Sequence, residues 1–321
     1  MARSFLSRLL QGIALVLAVV VLNFVLVHAA PGDPVETIAG ASGGMSPELM
    51  AQLRTQYGLD QPLVVQLGVY LAKVLRGDLG YSYFFNLPVT SLILDRVPAT
   101  LLLVLCSVVS AFTIGTTLGV LSSRKPNGVL SQFITVLSIV GFAAPVFWMG
   151  IMLVILFASV LPILPVSGMR AADASGGGWR DVLDVLWHLV LPTLTLSLVY
   201  LAQYSRLARA SMLDVLGSDF VRTARAKGLP ERVVLYKHAL RNAVLPVVTV
   251  LGLQFGNVLA GAILVETVFN WPGLGRLAFE SVLRRDYPTI LGVLVVSSMV
   301  VVVMNLLTDL AYRLIDPRIK I

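Results

Sequence analysis

Long runs of uncharged, mainly apolar residues recur along the chain. A membrane-spanning helix needs roughly 20 such residues, because lipid offers an exposed backbone no hydrogen-bond partner. The runs that reach about this length cover residues 9–27, 98–123, 126–169, 185–205, 242–265 and 287–308. The third could hold two helices, but prolines and glycines interrupt it, so we expect one helix over about 129–158, kinked near "GFAAP". The pattern predicts an all-α membrane protein with six transmembrane helices.

Composition agrees with a membrane protein. Of 321 residues, 57% are hydrophobic and 13% are charged, about half the charged share of a soluble domain. The single cysteine, Cys106, lies inside an apolar run, which excludes a disulfide framework and a thiolate metal cluster.

The N-terminus allows two interpretations. Arg3 and Arg8 precede the first apolar run, and "VHA" follows it, as in a cleaved secretory signal. The run is longer than the usual apolar core of a signal, about 7–15 residues. We therefore expect a retained first helix over residues 1–29.

The basic residues predict the orientation. With the N-terminus inside, the cytoplasmic segments carry 15 of the 24 basic residues and five of the 17 acidic ones, as the positive-inside rule requires. Both termini, including the tail 315–321, are then cytoplasmic. The net charge of +7 is explained by this inner face, and we expect no nucleic-acid partner.

The segment 30–97 predicts a small extracytoplasmic domain. Ser46, Pro47 and Glu48 form a typical helix start. A second amphipathic helix over "LVVQLGVYLAKVLRGD" should end at Gly77. By itself this segment indicates scaffolding.

The cytoplasmic loop 206–241 is unusually basic. Its stretch "RTARAKGLPERVVLYKHALRN" holds six Arg or Lys and one acid, Glu231. We expect one short helix from Ser218 or Asp219 to Gly228 and a second from Pro230, together forming a rigid projection. The loop either lies on anionic lipid and sets topology, or docks a cytoplasmic partner.

Motifs along nearly the whole chain resemble the permease subunits of ABC importers, in the dipeptide/oligopeptide/nickel branch. They are "LVHAAPGDP" (26–34), "YGLDQPL" (57–63), "RGDLGYS" (76–82), "DFVRTARAKGL" (219–229), "HALRNAVLPVVT" (238–249), "VETVFNWPGLGRL" (265–277), "RDYPTI" (285–290) and "LTDLAYRLIDPRI" (307–319). The resemblance implies the type I permease fold, a permease core over 98–314 and a bacterial inner-membrane location.

The resemblance also implies roles for particular residues. The loop 206–241 corresponds to the family's coupling loop, although a triplet beginning at Arg222 replaces the general Glu-Ala-Ala, so we assign no role to that Glu. Its expected contacts with an ATPase are Asp219, Arg222, Thr223, Ala224, Ala226, Gly228 and Leu229. The segment after the fifth span corresponds to an outer re-entrant gate, with Phe269, Trp271 and Arg276 as gate or partner-contact residues.

Charged residues are absent from the middle of the spans. Asp214, Glu266, Asp286 and Asp309 lie at or beyond span ends, whereas ion-driven carriers place such groups within the membrane. Among the intramembrane amides, which include Gln203, we expect Gln254 and Asn257 to line a path; the alternative is helix–helix hydrogen bonding.

Neither a metal site nor a catalytic site is expected. His28 and His188 lie at outer span ends, where interfacial placement is favoured over metal ligation. Serine, histidine and acidic residues are scattered over both sides of the membrane. We therefore expect the chain not to be an enzyme.

The chain lacks a nucleotide-binding motif. A Walker A loop requires Gly-Lys-Ser/Thr, and none of the five lysines follows glycine. We expect no cofactor in this chain, with ATP and Mg²⁺ bound by two partner subunits. The resemblance adds a second permease and an extracytoplasmic solute-binding protein.

The preferred function is import of dipeptides or oligopeptides. The alternatives are the same machinery importing nickel chelates, glutathione or another small solute, and, from other classes, an ATP-independent carrier, a channel or a membrane scaffold.

Overall fold

A computed structural model describes residues 2–29, 46, 48, 50, 51, 55, 60–171 and 178–315. The chain divides into two compact units, residues 1–98 with 273–306 and residues 99–272 with 307–320. Most described residues are helical, as the sequence predicts. A two-residue antiparallel ribbon, β1 (Tyr81–Ser82) with β2 (Leu87–Pro88), is an addition to the expected all-α fold.

The helices follow the apolar runs closely. Their bounds are α1 Ala2–Ala29, α2 Leu63–Leu75, α3 Val89–Ser123, α4 Val129–Ala143, α5 Val146–Val154, α6 Trp179–Leu216, α7 Asp219–Ala226, α8 Glu231–Val233, α9 Leu240–Val268, α10 Leu274–Arg284 and α11 Tyr287–Ile315. Two π-helical segments, Ile155–Val160 and Val234–Ala239, extend α5 and join α8 to α9.

Four described helices, α1, α3, α6 and α11, are long and apolar enough to cross a membrane. Two bent pairs raise the number to six if each pair is one span: 131–141 with 146–160, bent by 109°, and 231–251 with 256–268, bent by 62°. The first bend lies at the predicted "GFAAP" position, but it divides the expected single helix 129–158 into two helices, α4 and α5. Pro145 disfavours helical geometry at the preceding residue, and Ala144 is extended with ψ 135°. The number of spans and the location of the termini remain predictions.

In the first unit, the ribbon and the start of α3 pack against α10 and α11. Val89 and Ile93 at the start of α3 lie in one buried cluster with Leu277 and Val293. The carboxylate of Asp286, just before α11, accepts hydrogen bonds from the hydroxyls of Ser82 and Thr289. This acceptor ties the ribbon to the start of α11.

The second unit is held by a close contact between α3 and α6. A Cβ built on Gly119 would lie 2.5 Å from the carbonyl oxygen of Ser205, and one on Gly115 would lie 2.8 Å from that of Leu201. Only glycine permits this approach. The two glycines stand four apart, a spacing typical of close helix contacts in membranes, and the sequence interpretation did not use it.

The segment 30–97, which the sequence predicts to be extracytoplasmic, is described in part. Helix α2 ends just before Gly77, which has φ 78°, as predicted. Glu48, Met50, Ala51 and Thr55 are helical, in agreement with a helix starting at Ser46. The other positions of that predicted helix, residues 30–45 and the tail 316–321 lie outside the described residues.

Candidate functional site

The short helix α7 occupies the centre of the basic loop. Ser218 precedes it with extended geometry, as an N-cap residue does, but its hydroxyl donates to the carbonyl of Val215. The helix ends at Ala226, and Gly228 follows with φ 75°. A left-handed glycine just after the helix was predicted and is confirmed.

One face of α7 is buried. Val221 and Ala224, three positions apart and therefore on the same side of the helix, lie in a cluster with Met212, Val234 and Leu235. This apolar contact seats α7 against the end of α6 and the segment leading into α9. The helix is consequently held by packing and is not a loose loop.

The opposite face is exposed. Of the predicted coupling residues, Ala224 is buried, and those that face outward are Asp219, Arg222, Thr223, Ala226, Gly228 and Leu229. The Asp219 and Arg222 side chains are 96% and 73% exposed and approach each other at 3.4 Å. Phe220, which the sequence interpretation did not select, is 46% exposed on α7; its position directly before the buried Val221 was the available signal.

An ion pair braces the turn after α7. Arg225 donates to Glu231 through Nη2 at 2.8 Å and Nε at 3.3 Å, across the Gly228 turn. The hydrogen bond from Arg225, assisted by the charge of Arg124, lowers the pKa of the Glu231 carboxyl. Both partners are partly exposed. The ion pair therefore adds only modestly to the stability that the apolar contacts of α7 provide.

The predicted second helix after Pro230 is confirmed at its start, since α8 begins at Glu231, but it is neither short nor separate. Residues from Glu231 onward pass through the π-helical segment Val234–Ala239 directly into α9. The next proline is Pro246, so nothing interrupts backbone hydrogen bonding between them. As a result, only a few residues separate α7 from the continuous helical stretch that leads into α9.

Three amide side chains meet between α6 and α9. Gln254 Nε2 donates to Gln203 Oε1 at 2.9 Å, and Asn257 Nδ2 approaches Gln254 Oε1 at 3.3 Å. Gln254 is 8% exposed, whereas Asn257 is exposed. The two predicted path residues thus contact each other within α9, and Gln254 also makes a helix–helix hydrogen bond to Gln203 of the kind considered as the alternative. Whether they line a path stays a prediction.

The segment after α9 is anchored in the second unit. Trp271 is fully buried and donates Nε1–H to the carbonyl of Ala99 at 2.9 Å. Phe269 is 1% exposed, and its carbonyl accepts from the backbone of Gly168 at 2.8 Å. Their side chains therefore offer no surface to a partner in this conformation, and a gating role stays a prediction. Arg276 belongs to the other unit and pairs with Glu280 at 2.7 Å.

A buried carboxyl group strengthens the same anchor. Glu266 lies near the end of α9, as predicted, but it is 0% exposed, and Thr100 Oγ1 donates to its Oε1 at 2.6 Å. The backbone carbonyl of Glu266 also accepts from the Trp271 N–H at 2.8 Å. Thr100 and Glu266 are 166 positions apart, and no local pattern could have identified the pair. We call Glu266, Thr100, Trp271 and Ala99 the outer anchor.

The histidines have ordinary hydrogen-bond partners. His28 contacts Gln66 at 2.9 Å, and His188 contacts the carbonyl of Asp184 at 2.9 Å. Within the described part of the chain, no three His, Cys, Asp or Glu side chains are grouped so that they could hold a metal ion.

Comparison with known proteins is consistent over the whole chain. Residues 115–321 match the family model "Binding-protein-dependent transport system inner membrane component", and residues 1–104 match the model of its N-terminal part. The chain is 42% identical to the dipeptide transport system permease protein DppB of Escherichia coli K12, covering 100% of this chain and 99% of the relative. It is 39% identical to the oligopeptide transport system permease protein AppB of Bacillus subtilis, with both chains fully covered.

A solved structure supports the fold. An inward-facing structure of the MetNI methionine ABC transporter matches with a TM-score of 0.55 and 16% identity, covering 70% of this chain and 96% of that one. At this identity the likeness indicates a shared permease fold.

Proposed function

The chain belongs to the family of inner membrane components of binding-protein-dependent transport systems, and we propose that it is a permease subunit of an ATP-driven importer of short peptides. The observation that carries this proposal is the 42% identity over the full length to a dipeptide permease. The 39% identity to an oligopeptide permease supports the same cargo class. The chain is accordingly a multi-pass membrane protein, and we propose the bacterial inner membrane as its location.

Coupling to ATP hydrolysis uses the exposed face of α7. The carboxylate of Asp219, the guanidinium of Arg222 and the ring of Phe220 are all accessible there, and such mixed polar and aromatic surfaces suit protein partners. A cytoplasmic ATP-binding subunit, which holds ATP and Mg²⁺, docks on this face. We place loop 206–241 and both termini on the cytoplasmic side.

Movement of α7 reaches the membrane through two contacts. Its buried face rests on residues of α6 and of the π-helical segment, and that segment continues into α9. A displaced α7 would therefore shift α9 directly. Coupling requires two states with different affinity for the nucleotide-bound subunits; here these are the inward-open and outward-open arrangements of the helices.

The path for the peptide runs along α9. Gln203, Gln254 and Asn257 offer donors and acceptors that match a peptide backbone without selecting side chains. The outer anchor closes the far end of α3 and α9, and its release would accompany opening. Six spans, a second permease and an extracytoplasmic solute-binding protein complete the assembly.

Reconstitution tests this function. Proteoliposomes holding the permease pair and ATP-binding subunits, supplied with the solute-binding protein, should accumulate a labelled dipeptide only when ATP is present on the α7 side. Excess unlabelled peptide should compete, whereas nickel chelates and glutathione should not. Uptake by this chain without ATP or partners would contradict the proposal.

A further inference from the structure

A cavity of about 700 Å³ lies behind α7, within the second unit. Its walls come from the end of α3, the turn into α4, the end of α6, and the residues on either side of the Gly228 turn. The volume falls in the range of small-ligand sites, about 300–1,000 Å³. The cavity is separate from the exposed face of α7, where the ATP-binding subunit is proposed to dock.

The polar part of the cavity is positively charged. Its lining includes Arg124, Lys125 and Arg225 against one acid, Glu231, a difference of +2. Glu231 is engaged by Arg225. Arg124 and Lys125 are exposed and stand side by side at the rim, where they can contact an incoming anion.

The N-terminus of α4 adds to this field. The helix has 15 residues and begins at the cavity wall, with Gly128 at the N-cap and Val129 as its first residue. The first N–H groups of a helix have no intrahelical partner and carry a partial positive charge. Helix N-termini of this kind bind phosphate groups.

Apart from Ser122 and Ser123, the remaining wall is apolar. Leu121, Val129, Leu216 and Leu235 line it, and Val129 is 84% exposed. The apolar part of α3 ends at Ser123, so Arg124 and Lys125 stand at the boundary between hydrocarbon and water. A charged rim beside an apolar wall suits a molecule with a phosphate group and an acyl chain better than a free phosphate.

We propose that this cavity binds the headgroup of an anionic phospholipid from the inner leaflet, with Arg124, Lys125 and the α4 N-terminus contacting its phosphate. Basic pockets between membrane helices on the cytoplasmic side take such headgroups. We call α7 and the Gly228 turn that follows it the coupling element. The lipid would brace α3 and α4 against the Arg225–Glu231 side of this element. The proposal relies on the orientation given under the proposed function.

Native mass spectrometry of the purified importer complex tests it. The complex is titrated with phosphatidylglycerol or with phosphatidylcholine of the same acyl chains, and bound lipid is counted. One basic residue near a surface contributes about 1 kcal/mol, roughly fivefold in affinity. Arg124→Ala/Lys125→Ala should therefore weaken phosphatidylglycerol binding at least tenfold, while Arg124→Lys/Lys125→Arg should restore it.

A matched control separates the site from bulk charge. Lys237→Ala/Arg241→Ala removes the same charge from exposed positions outside the cavity and should leave lipid binding unchanged. Equal affinity for both lipids, or no loss in the cavity variant, would overturn the proposal. Displacement of the lipid by inorganic phosphate at constant ionic strength would assign the site to a free anion.

Three further outcomes separate this inference from its alternatives and from the proposed function. If the cavity variant releases the ATP-binding subunits, the cavity is a protein interface and the lipid assignment is wrong. If ATP-driven peptide uptake is equal in pure phosphatidylcholine and no lipid preference is measured, the importer function stands and the lipid site fails. If lipid binding is selective but uptake is absent in every membrane, the lipid site stands and the importer function fails.

Discussion

The coupling element and the outer anchor contain family motifs of similar length but opposite exposure. On α7, Asp219 and Arg222 are 96% and 73% exposed. In the outer anchor, Trp271 and Glu266 are both 0% exposed and hydrogen-bonded to residues near the start of the second unit. The anchor's contacts are thus made within the chain, whereas α7 presents exposed groups that another molecule can reach.

A family motif can therefore consist of residues that stabilise the fold or of residues that act in transport. Substitutions in buried, mutually bonded motif residues should change how much folded protein exists. Substitutions on the exposed face should leave the protein folded and change transport. The predictions below are ordered by their expected effect on the free energy of unfolding.

The largest effect is expected at the α3–α6 contact. Gly119→Val would place methyl groups against the carbonyl of Ser205 and the Cβ of Ala208, already 2.5 and 2.6 Å from a built Cβ. Overpacking of this kind costs about 3 kcal/mol. We expect little protein in the membrane by fluorescence-detected gel filtration.

The control for this variant lies in α2. No described atom lies within 4 Å of a Cβ built on Gly68, so Gly68→Val should accumulate normally. Normal accumulation of Gly119→Val would show that the helices are not in close contact there.

The outer anchor should show an intermediate effect. Glu266→Ala removes the acceptor of the Thr100 hydroxyl, and loss of a buried partner costs about 1–3 kcal/mol. The melting temperature of this variant in detergent should fall clearly. The melting temperature of Glu266→Gln should fall less, because glutamine keeps a carbonyl acceptor. The half-exposed Glu280→Ala serves as the comparison and should change it little. Equal melting temperatures for Glu266→Ala and the wild type would refute the anchor.

Gly228→Val should separate folding from transport. A branched residue at φ 75° is strained by about 1–2 kcal/mol, so the turn should change shape and misplace α7. We expect normal membrane levels with peptide uptake reduced at least tenfold. Asn tolerates left-handed geometry, so Gly228→Asn should retain most uptake; uptake by Gly228→Val at the wild-type rate would remove the turn from the mechanism.

The Arg225–Glu231 brace should have the smallest effect. Exposed pairs contribute about 0.2–1 kcal/mol, measurable in a double-mutant cycle with Arg225→Ala and Glu231→Ala. Because Arg225 lowers the pKa of Glu231 below its ordinary value of 4.5, the stabilisation is complete above that pH. It should disappear as the pH falls through the lowered pKa. A coupling energy that persists in acid would indicate packing and not charge.

Local signals in the sequence predicted local geometry well. Gly77 and Gly228 mark helix ends, and Pro145 marks a bend, because each residue restricts its own backbone or that of its neighbour. The exposed residues of α7 followed from the basic loop and its family resemblance. These features depend on a few adjacent positions.

Distant pairs could not be predicted in the same way. Trp271 donates to Ala99, which lies 172 positions away in the sequence. From sequence alone, a polar side chain near a span end is as compatible with exposure at the membrane interface as with burial. The π-helical segment Val234–Ala239 leaves no mark in the sequence, so the loop was divided into two helices where one is continuous with α9. The Gly115 and Gly119 spacing was a usable signal of close packing.

Cysteine cross-linking tests the central claim most directly, that the exposed face of α7 contacts an ATP-binding subunit. The sole native cysteine is replaced by Cys106→Ala, and Thr223→Cys introduces a thiol on the exposed face of α7. In the assembled importer we predict a cross-link to the ATP-binding subunit whose yield changes when ATP binds. Labelling of that thiol by a membrane-impermeant reagent added outside intact cells would contradict the account.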